Sequence, residues 1–124
     1  MKSSRSKVLH QVGGRSLVGH VLDTAASLNP DTTVVVVGPD MPDVAAAASP
    51  NPVAIQQTQR GTADAVKPAR AELASMSEGT IFILYGDTPF IRTETLSAML
   101  EKRANGADIV VLGFRPDDPA EYGR

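Results

Sequence analysis

The sequence lacks, or has little of, the residues that define several functional classes. Its 124 residues include no cysteine, which excludes disulfides, thiolate zinc sites and a cysteine nucleophile. Aromatic residues make up only 4% of the chain, which argues against the stacking platforms that bind single-stranded nucleic acid. No apolar run approaches the roughly 20 residues that a membrane helix needs, and the N-terminus has no signal-peptide core.

The overall charge adds a further exclusion. The formal net charge is −2 at pH 7, so the chain has no character of a nucleic-acid-coating or membrane-surface protein. Hydrophobic residues make up 42% of the sequence, which is typical of a globular chain with one core. We therefore expect a single cytoplasmic domain, with no membrane span and no nucleic-acid partner.

Amphipathic helices alternate with apolar strands along the chain. Helices are predicted at 16–28, 43–48, 61–73 and 94–103, and strands at 33–37, 53–55, 80–85 and 108–114. Because the longer strands lack a polar face, they are typical of a sheet that is covered on both sides. The alternation predicts an α/β fold with a Rossmann-like, doubly wound and mostly parallel sheet. In such sheets ligands collect at the carboxyl ends of the strands.

Capping and helix-breaking residues predict where these helices begin and end. Thr62 and Thr93 are predicted N-caps, and Pro42 suits a first helical position. The dipeptide at 105–106, Asn-Gly, is expected to end the last helix. Pro68 is expected either to kink the helix over 61–73 or to mark where its regular part begins.

Asp87 follows the apolar run "TIFILY" and opens the stretch "DTPF". One interpretation is an Asx turn, with Gly86 bending the chain and Pro89 stiffening the loop. The other is a Mg²⁺ ligand that shares the ion with waters and substrate phosphate oxygens. The spacing alone does not choose between a turn and a metal site.

The N-terminal segment is a second candidate. Lys2, Arg5 and Lys7 precede the first helix and could hold a polyphosphate, although a solvated terminus has the same composition. His10 and His20 fit no metal-binding spacing, so we do not expect them to bind a metal.

The polar loop "QQTQRGT" is a third candidate. Gln56, Gln57 and Gln59 supply the amide donors and acceptors that recognition of a nucleobase edge requires. Gly61 and Thr62, at a predicted helix start, add free backbone N–H groups. A polar surface loop with an ordinary helix cap would have the same sequence.

The order of four segments is more specific than any one of them. The segments "SKVLHQVGGRSLVGHVLD", "QQTQRGTADAV", "LYGDTPFIRTETL" and "DDPAEYGR" together resemble the uridylyltransferase domain of the bacterial bifunctional N-acetylglucosamine-1-phosphate uridylyltransferase/glucosamine-1-phosphate acetyltransferase family. The resemblance covers essentially the whole chain. "LYGDTPFI" and "YGR" are shared with sugar nucleotidyltransferases broadly, whereas "KVLH" followed by "GR" favours this family.

The resemblance implies a nucleotide site with UTP as its ligand. Lys7 corresponds to a catalytic lysine that meets the nucleotide phosphates. Gln56 would hydrogen-bond the uracil edge, and Gly61 and Thr62 would line the same pocket.

The resemblance also implies a site for N-acetylglucosamine 1-phosphate and for Mg²⁺. Tyr85 and Gly86 match the segment at the sugar phosphate, and Asp87 would be catalytic as the ligand of Mg²⁺. Gly123 would bind the N-acetylglucosamine moiety through its backbone. The parent protein is implied to be a homotrimer that also acetylates glucosamine 1-phosphate.

Two departures from the family pattern qualify these expectations. Residues 1–124 lack the family's first strand and its Gly-rich phosphate loop, and they stop before its second metal ligand. We therefore expect a partial nucleotidyltransferase domain, either a fragment or a chain with a late start, that is poorly active or inactive. Asp64 stands where the family usually has His, which puts the role of that position in doubt.

Two other functions stay open on the sequence. One is a related nucleotidyltransferase of the same fold, of the molybdenum-cofactor guanylyltransferase or cytidylyltransferase type. The other is a non-catalytic nucleotide-binding module.

Overall fold

A computed structural model describes residues 6–58 and 60–117. The strands are β1 (Gln11–Val12), β2 (Arg15–Ser16), β3 (Val35–Val37) and β4 (Val53–Ile55). The α-helices are α1 (Leu17–Ala26), α2 (Pro42–Ala47), α3 (Thr62–Ala65) and α4 (Thr93–Ala104), and short 3₁₀ turns cover Lys7–Leu9 and Lys67–Arg70.

The N-terminal part is a tight hairpin that leads directly into α1. Gly13 and Gly14 have φ angles of +59° and +81°, which suit a two-residue hairpin loop with both central residues left-handed. The antiparallel pairing of β1 with β2 follows, and α1 begins at once. Ser16 caps α1, because its hydroxyl accepts a hydrogen bond from the Gly19 amide at 3.1 Å. The helix predicted over 16–28 is confirmed.

A parallel pair of strands forms the centre of the described fold. Val35, Val36 and Val37 of β3 pair with Val53, Ala54 and Ile55 of β4. The crossover between them contains α2, with Pro42 in its first turn as predicted. The two strands are thus connected by a βαβ unit, which confirms α/β content with a parallel sheet.

The core lies between the first 3₁₀ turn, α1, α2 and β3. Leu9, Val18, Val37 and Val44 form a buried cluster in which each side chain is only 5% exposed. Burial of a Val or Leu side chain contributes about 1.5–3 kcal/mol. This cluster therefore fixes the 3₁₀ turn that carries Lys7 against the rest of the fold.

The segments 80–85 and 108–114 are not strands in this structure, so that part of the prediction is wrong. Along the first segment exposed and half-buried residues alternate, with Ile81 and Ile83 at 59% and 60% exposure. In the second segment Ile109 and Val111 are more than 80% exposed. An apolar run identifies a segment that could be covered, but a strand exists only where a neighbouring backbone hydrogen-bonds to it. In the described residues β3 and β4 are paired with each other, and the parallel sheet has two strands.

The helix predicted over 61–73 is divided at Val66, two residues before Pro68. It consists of α3, a single turn capped by Gly61 rather than Thr62, followed by the 3₁₀ turn Lys67–Arg70. Gly61 has a φ of +108°, which favours glycine, and Thr62 is the first helical residue instead of the cap. Proline cannot donate the i to i−4 hydrogen bond, so the regular helix does not continue through it.

The last helix, α4, matches its prediction within a residue at each end. Its N-cap is Arg92, and the predicted cap Thr93 lies in the first turn. It ends at Asn105, with Gly106 in the left-handed region at φ +101°. In the part of the chain that the structure describes, no helix has both the length and the apolar character needed to cross a membrane.

Candidate nucleotide-binding site

Lys7 and Asp87, the two predicted catalytic residues, form an ion pair although 80 positions separate them in the sequence. The Lys7 Nζ atom lies 3.0 Å from Oδ2 of Asp87. Both side chains are open to solvent, with 77% exposure for Lys7 and 39% for Asp87. Exposed ion pairs of this kind contribute only about 0–1 kcal/mol to stability. Their charges are therefore available to a ligand at little cost to the fold.

Close backbone packing places these two side chains together. Gly86 lies against Val8, since a Cβ atom added to this glycine would lie 3.4 Å from Val8 Cγ1 and 3.8 Å from Val18 Cγ2. Val8 belongs to the same 3₁₀ turn as Lys7, whose other neighbour in the turn is the buried Leu9. The turn that carries Asp87 thus rests directly on the turn that carries Lys7.

The turn at 85–88 is closed without help from Asp87. The Thr88 amide and hydroxyl both donate to the carbonyl oxygen of Tyr85, at 3.2 and 2.9 Å. An Asx turn would need the carboxylate to accept from the amide two residues on, but that residue is Pro89, which has no N–H. The Asx interpretation of Asp87 is therefore wrong. Its carboxylate faces Lys7 instead.

A second group of predicted residues lines an open cleft beyond the carboxyl end of β4. The cleft has a volume of about 420 Å³ and is lined by Gln56, Gln57, Thr58, Arg60, Asp64, Lys67 and Pro68. Ligand-binding clefts typically measure about 300–1,000 Å³. The backbone N–H of Gln56 donates to the Val37 carbonyl oxygen at 2.8 Å. This bond extends the parallel ladder and fixes the backbone at this point. Gln56 thus directly follows the carboxyl end of a parallel strand, which is where ligands collect in such sheets.

Asp64 is the charged centre of this cleft. Its Oδ1 atom accepts a hydrogen bond from Lys67 Nζ at 2.9 Å, and its Oδ2 atom lies 3.5 Å from the side-chain nitrogen of Gln56. The hydrogen bond from Lys67 holds the pKa of this carboxyl below its ordinary value. Burial opposes this effect, and the Gln56 amide adds a smaller lowering of the pKa. Asp64 is accordingly a carboxylate at neutral pH.

The remaining predicted site residues have fewer contacts that fix their positions. Gly61 borders the cleft, where its carbonyl oxygen lies 3.5 Å from the Gln56 side-chain nitrogen, and Thr62 is exposed in the single turn of α3. The Tyr85 side chain is 53% exposed. Gly123 lies outside the described residues. Across 6–58 and 60–117, no hydrogen bond or ion pair joins the Lys7–Asp87 pair to the cleft.

Two cations in the cleft were not predicted from the sequence. Arg60 and Lys67 both line it, and Lys67 is paired there with Asp64 at 2.9 Å. The i,i+3 spacing of Asp64 and Lys67 on a short helical segment is the sequence signal that could have identified the second of them. For Arg60 no comparable pattern exists, because Arg60 lies in a loop, where no regular spacing relates it to the other residues of the cleft.

Comparison with known proteins identifies the family. The family model of the MobA-like NTP transferase domain matches residues 1–121, so the chain belongs to that family. This confirms the predicted class, a nucleotidyltransferase domain, and it fits the parallel strand pair with candidate ligand residues at its carboxyl end.

The similar proteins that we compared share one name, which is more specific than the family. The chain is 49% identical to the Bifunctional protein GlmU of Paramagnetospirillum magneticum, 48% identical to that of Rhodospirillum rubrum and 43% identical to that of Parvibaculum lavamentivorans. Each match covers 100% of this chain and 28% of the relative. The resemblance found in the sequence is therefore confirmed, and the chain spans little more than a quarter of the length of these relatives.

Proposed function

We propose that this domain transfers UMP from UTP to N-acetylglucosamine 1-phosphate, giving UDP-N-acetylglucosamine and pyrophosphate. A phosphate oxygen of the sugar phosphate attacks the α-phosphorus of UTP and forms a new P–O bond. The bond from the α-phosphorus to the bridging oxygen breaks, and pyrophosphate leaves with the electron pair. The observation that carries the proposal is the 3.0 Å pairing of Lys7 with Asp87, in a chain of the NTP transferase family.

Lys7 supplies positive charge to the triphosphate. Its side chain is 77% exposed, and among the described residues its ammonium group pairs with the exposed Asp87, so it is free to turn from Asp87 to a phosphate oxygen. A cation at that position stabilises the negative charge that develops on the phosphates in the transition state. The attacking phosphate oxygen is already anionic, and the reaction therefore needs no general base.

Asp87 is the residue that would hold Mg²⁺. Its exposed carboxylate suits this ion, which prefers oxygen ligands and usually keeps waters and substrate phosphate oxygens in its shell. Among the described residues no cluster of three or more acidic, histidine or cysteine side chains could hold a metal by itself. The donor set thus fits an ion shared with substrate. When bound, Mg²⁺ would neutralise charge on the phosphates of UTP.

The cleft around Gln56 is the proposed site of the uracil base. Gln56 lies at the carboxyl end of β4 and is half-buried, with Gly61 within reach of its side chain. Gly61 and Thr62 would border the nucleotide. Tyr85, Gly86 and Gly123 are proposed to bind the sugar phosphate, by the resemblance alone.

The test of the function is release of pyrophosphate by the protein as its gene encodes it, measured with Mg²⁺ and N-acetylglucosamine 1-phosphate. UTP should support turnover well above CTP or GTP. Preference for GTP or CTP would favour the guanylyltransferase or cytidylyltransferase alternatives. Binding of UTP without any pyrophosphate release would instead favour a non-catalytic nucleotide-binding module.

For the whole protein the proposal extends further. We propose that it also acetylates glucosamine 1-phosphate, since its relatives are named bifunctional, and that it is a cytoplasmic homotrimer. We also propose that the whole protein has a Rossmann-like, doubly wound sheet that includes the parallel pair β3 and β4.

A further inference from the structure

The side-chain amide nitrogen of Gln56 lies between two oxygen atoms. Its Nε2 atom lies 3.5 Å from the Gly61 carbonyl oxygen and 3.5 Å from Asp64 Oδ2. Both neighbours can only accept hydrogen bonds, since one is a carbonyl and the other a carboxylate. A flipped amide would direct its own oxygen at two oxygens, which is electrostatically unfavourable. The NH₂ group therefore faces Asp64 and Gly61, and the amide oxygen faces away from them.

Asp64 is itself held in place. Lys67 Nζ donates to its other carboxylate oxygen at 2.9 Å, and its side chain is only 23% exposed. The carboxylate is thus charged, anchored and directed at Gln56. A hydrogen bond to a charged acceptor is stronger than one between neutral groups, so Asp64 outweighs the neutral carbonyl of Gly61 in setting the amide.

The orientation of the amide determines which base edge it can read. With both N–H groups directed inward, Gln56 offers the rest of the cleft an acceptor. Uracil has an N–H donor at N3, whereas cytosine has a lone pair at the same position. An acceptor facing position 3 of a pyrimidine therefore favours uracil and repels cytosine.

We propose that Asp64 is a positioning residue that sets the Gln56 amide and thereby selects uracil over cytosine. This rests on the proposed function, in which Gln56 meets the base. It gives a role to Asp64, which stands where the family usually has His. Asp64 would act through Gln56 and not touch the nucleotide itself.

The test compares the dissociation constants of UTP and CTP, measured by calorimetry with Mg²⁺ on the protein as its gene encodes it. Asp64→Asn should lower the preference for UTP about tenfold, because asparagine can present either a donor or an acceptor to Gln56. The loss should come mainly from weaker UTP binding. Asp64→Glu keeps the carboxylate and should restore part of the preference, which a purely structural role would not predict.

Two control variants separate this role from general effects. Asp31→Asn makes the same substitution at an exposed loop position and should leave the UTP/CTP ratio unchanged. Lys67→Met removes the partner of Asp64 but keeps the acceptor for Gln56, so it should weaken both nucleotides more than it changes their ratio.

The outcomes are distinguishable. If the unaltered protein prefers UTP and Asp64→Asn keeps that preference, the role of Asp64 is refuted and the proposed function stands. If Asp64→Asn weakens UTP and CTP equally, the residue is structural and the inference also fails. If the unaltered protein does not prefer UTP over CTP, the proposed uridylyltransferase function fails, and the inference with it.

Discussion

Replacement of Asp87 by asparagine is the change that most directly tests the proposed centre. The substitution keeps the size of the side chain and removes its negative charge. Lys7 loses the partner at 3.0 Å, and the proposed Mg²⁺ site loses the carboxylate that Asp87 supplies. The packing of Gly86 on Val8 and the hydrogen bonds from Thr88 to Tyr85 do not involve the altered atoms.

The effect on stability should be small. Two unit charges 3.0 Å apart interact by about 1.4 kcal/mol in bulk water, and measured values for exposed pairs are about 0.2–1 kcal/mol. The free energy of unfolding should therefore fall by less than about 1 kcal/mol, and the melting temperature by no more than about 4 °C. Turnover should fall by about 100-fold or more, because the reaction loses its metal ligand and the charge that aligns Lys7.

The chain offers a matched control. Asp23 forms an ion pair with Arg15 on the surface, and the two side chains are 55% and 52% exposed. Asp23→Asn therefore makes the same chemical change in an equally exposed pair that we do not place in the site. Thermal melting and pyrophosphate release are measured on both variants. If Asp87→Asn retains turnover within a few-fold of Asp23→Asn at ordinary Mg²⁺ concentrations, the catalytic role of Asp87 is refuted.

Two further predictions concern stability. Leu96→Ala should reduce the free energy of unfolding by about 2–5 kcal/mol, because Leu96 is only 1% exposed. Ile83 is 60% exposed, so Ile83→Ala should change this free energy by less than about 0.5 kcal/mol. If urea unfolding shows similar losses for the two variants, the difference in burial is contradicted. The pKa of Asp64 is lowered in the folded protein, chiefly by the Lys67 hydrogen bond. The charged Asp64 therefore stabilises the fold at pH values above about 4, the ordinary carboxyl pKa. This contribution is lost as the pH falls through the lowered pKa of the folded protein. The difference in melting temperature between the unaltered chain and Asp64→Asn should therefore shrink below about pH 4; a constant difference from pH 7 to pH 2.5 would show that Asp64 does not contribute in this way.

Several features follow from short stretches of sequence, because their causes are local. The hairpin glycines, the Ser16 cap and Pro42 act within one turn of the residues they affect, so α1 and α2 could be located without a structure. The missing amide hydrogen of Pro89 is also a local feature. It rules out an Asx turn at Asp87, but it does not assign a role to the carboxylate.

The sequence also determined the family. Four segments in a fixed order identify a nucleotidyltransferase without any knowledge of the fold, and the match over residues 1–121 confirms this. The roles of Lys7, Gln56 and Asp87 come with that resemblance, because spacing alone does not assign a role to any of them. These roles therefore remain proposals.

Only the tertiary structure could decide what depends on distant neighbours. Whether 80–85 becomes a strand depends on a hydrogen-bonding partner, which an apolar run does not encode. Lys7 and Asp87 meet because Gly86 packs on Val8, a contact between residues that lie far apart in the sequence. The setting of Gln56 by Asp64 likewise requires the chain to fold back from β4 into α3. Local forces fix the elements, whereas long-range packing brings the charged side chains together.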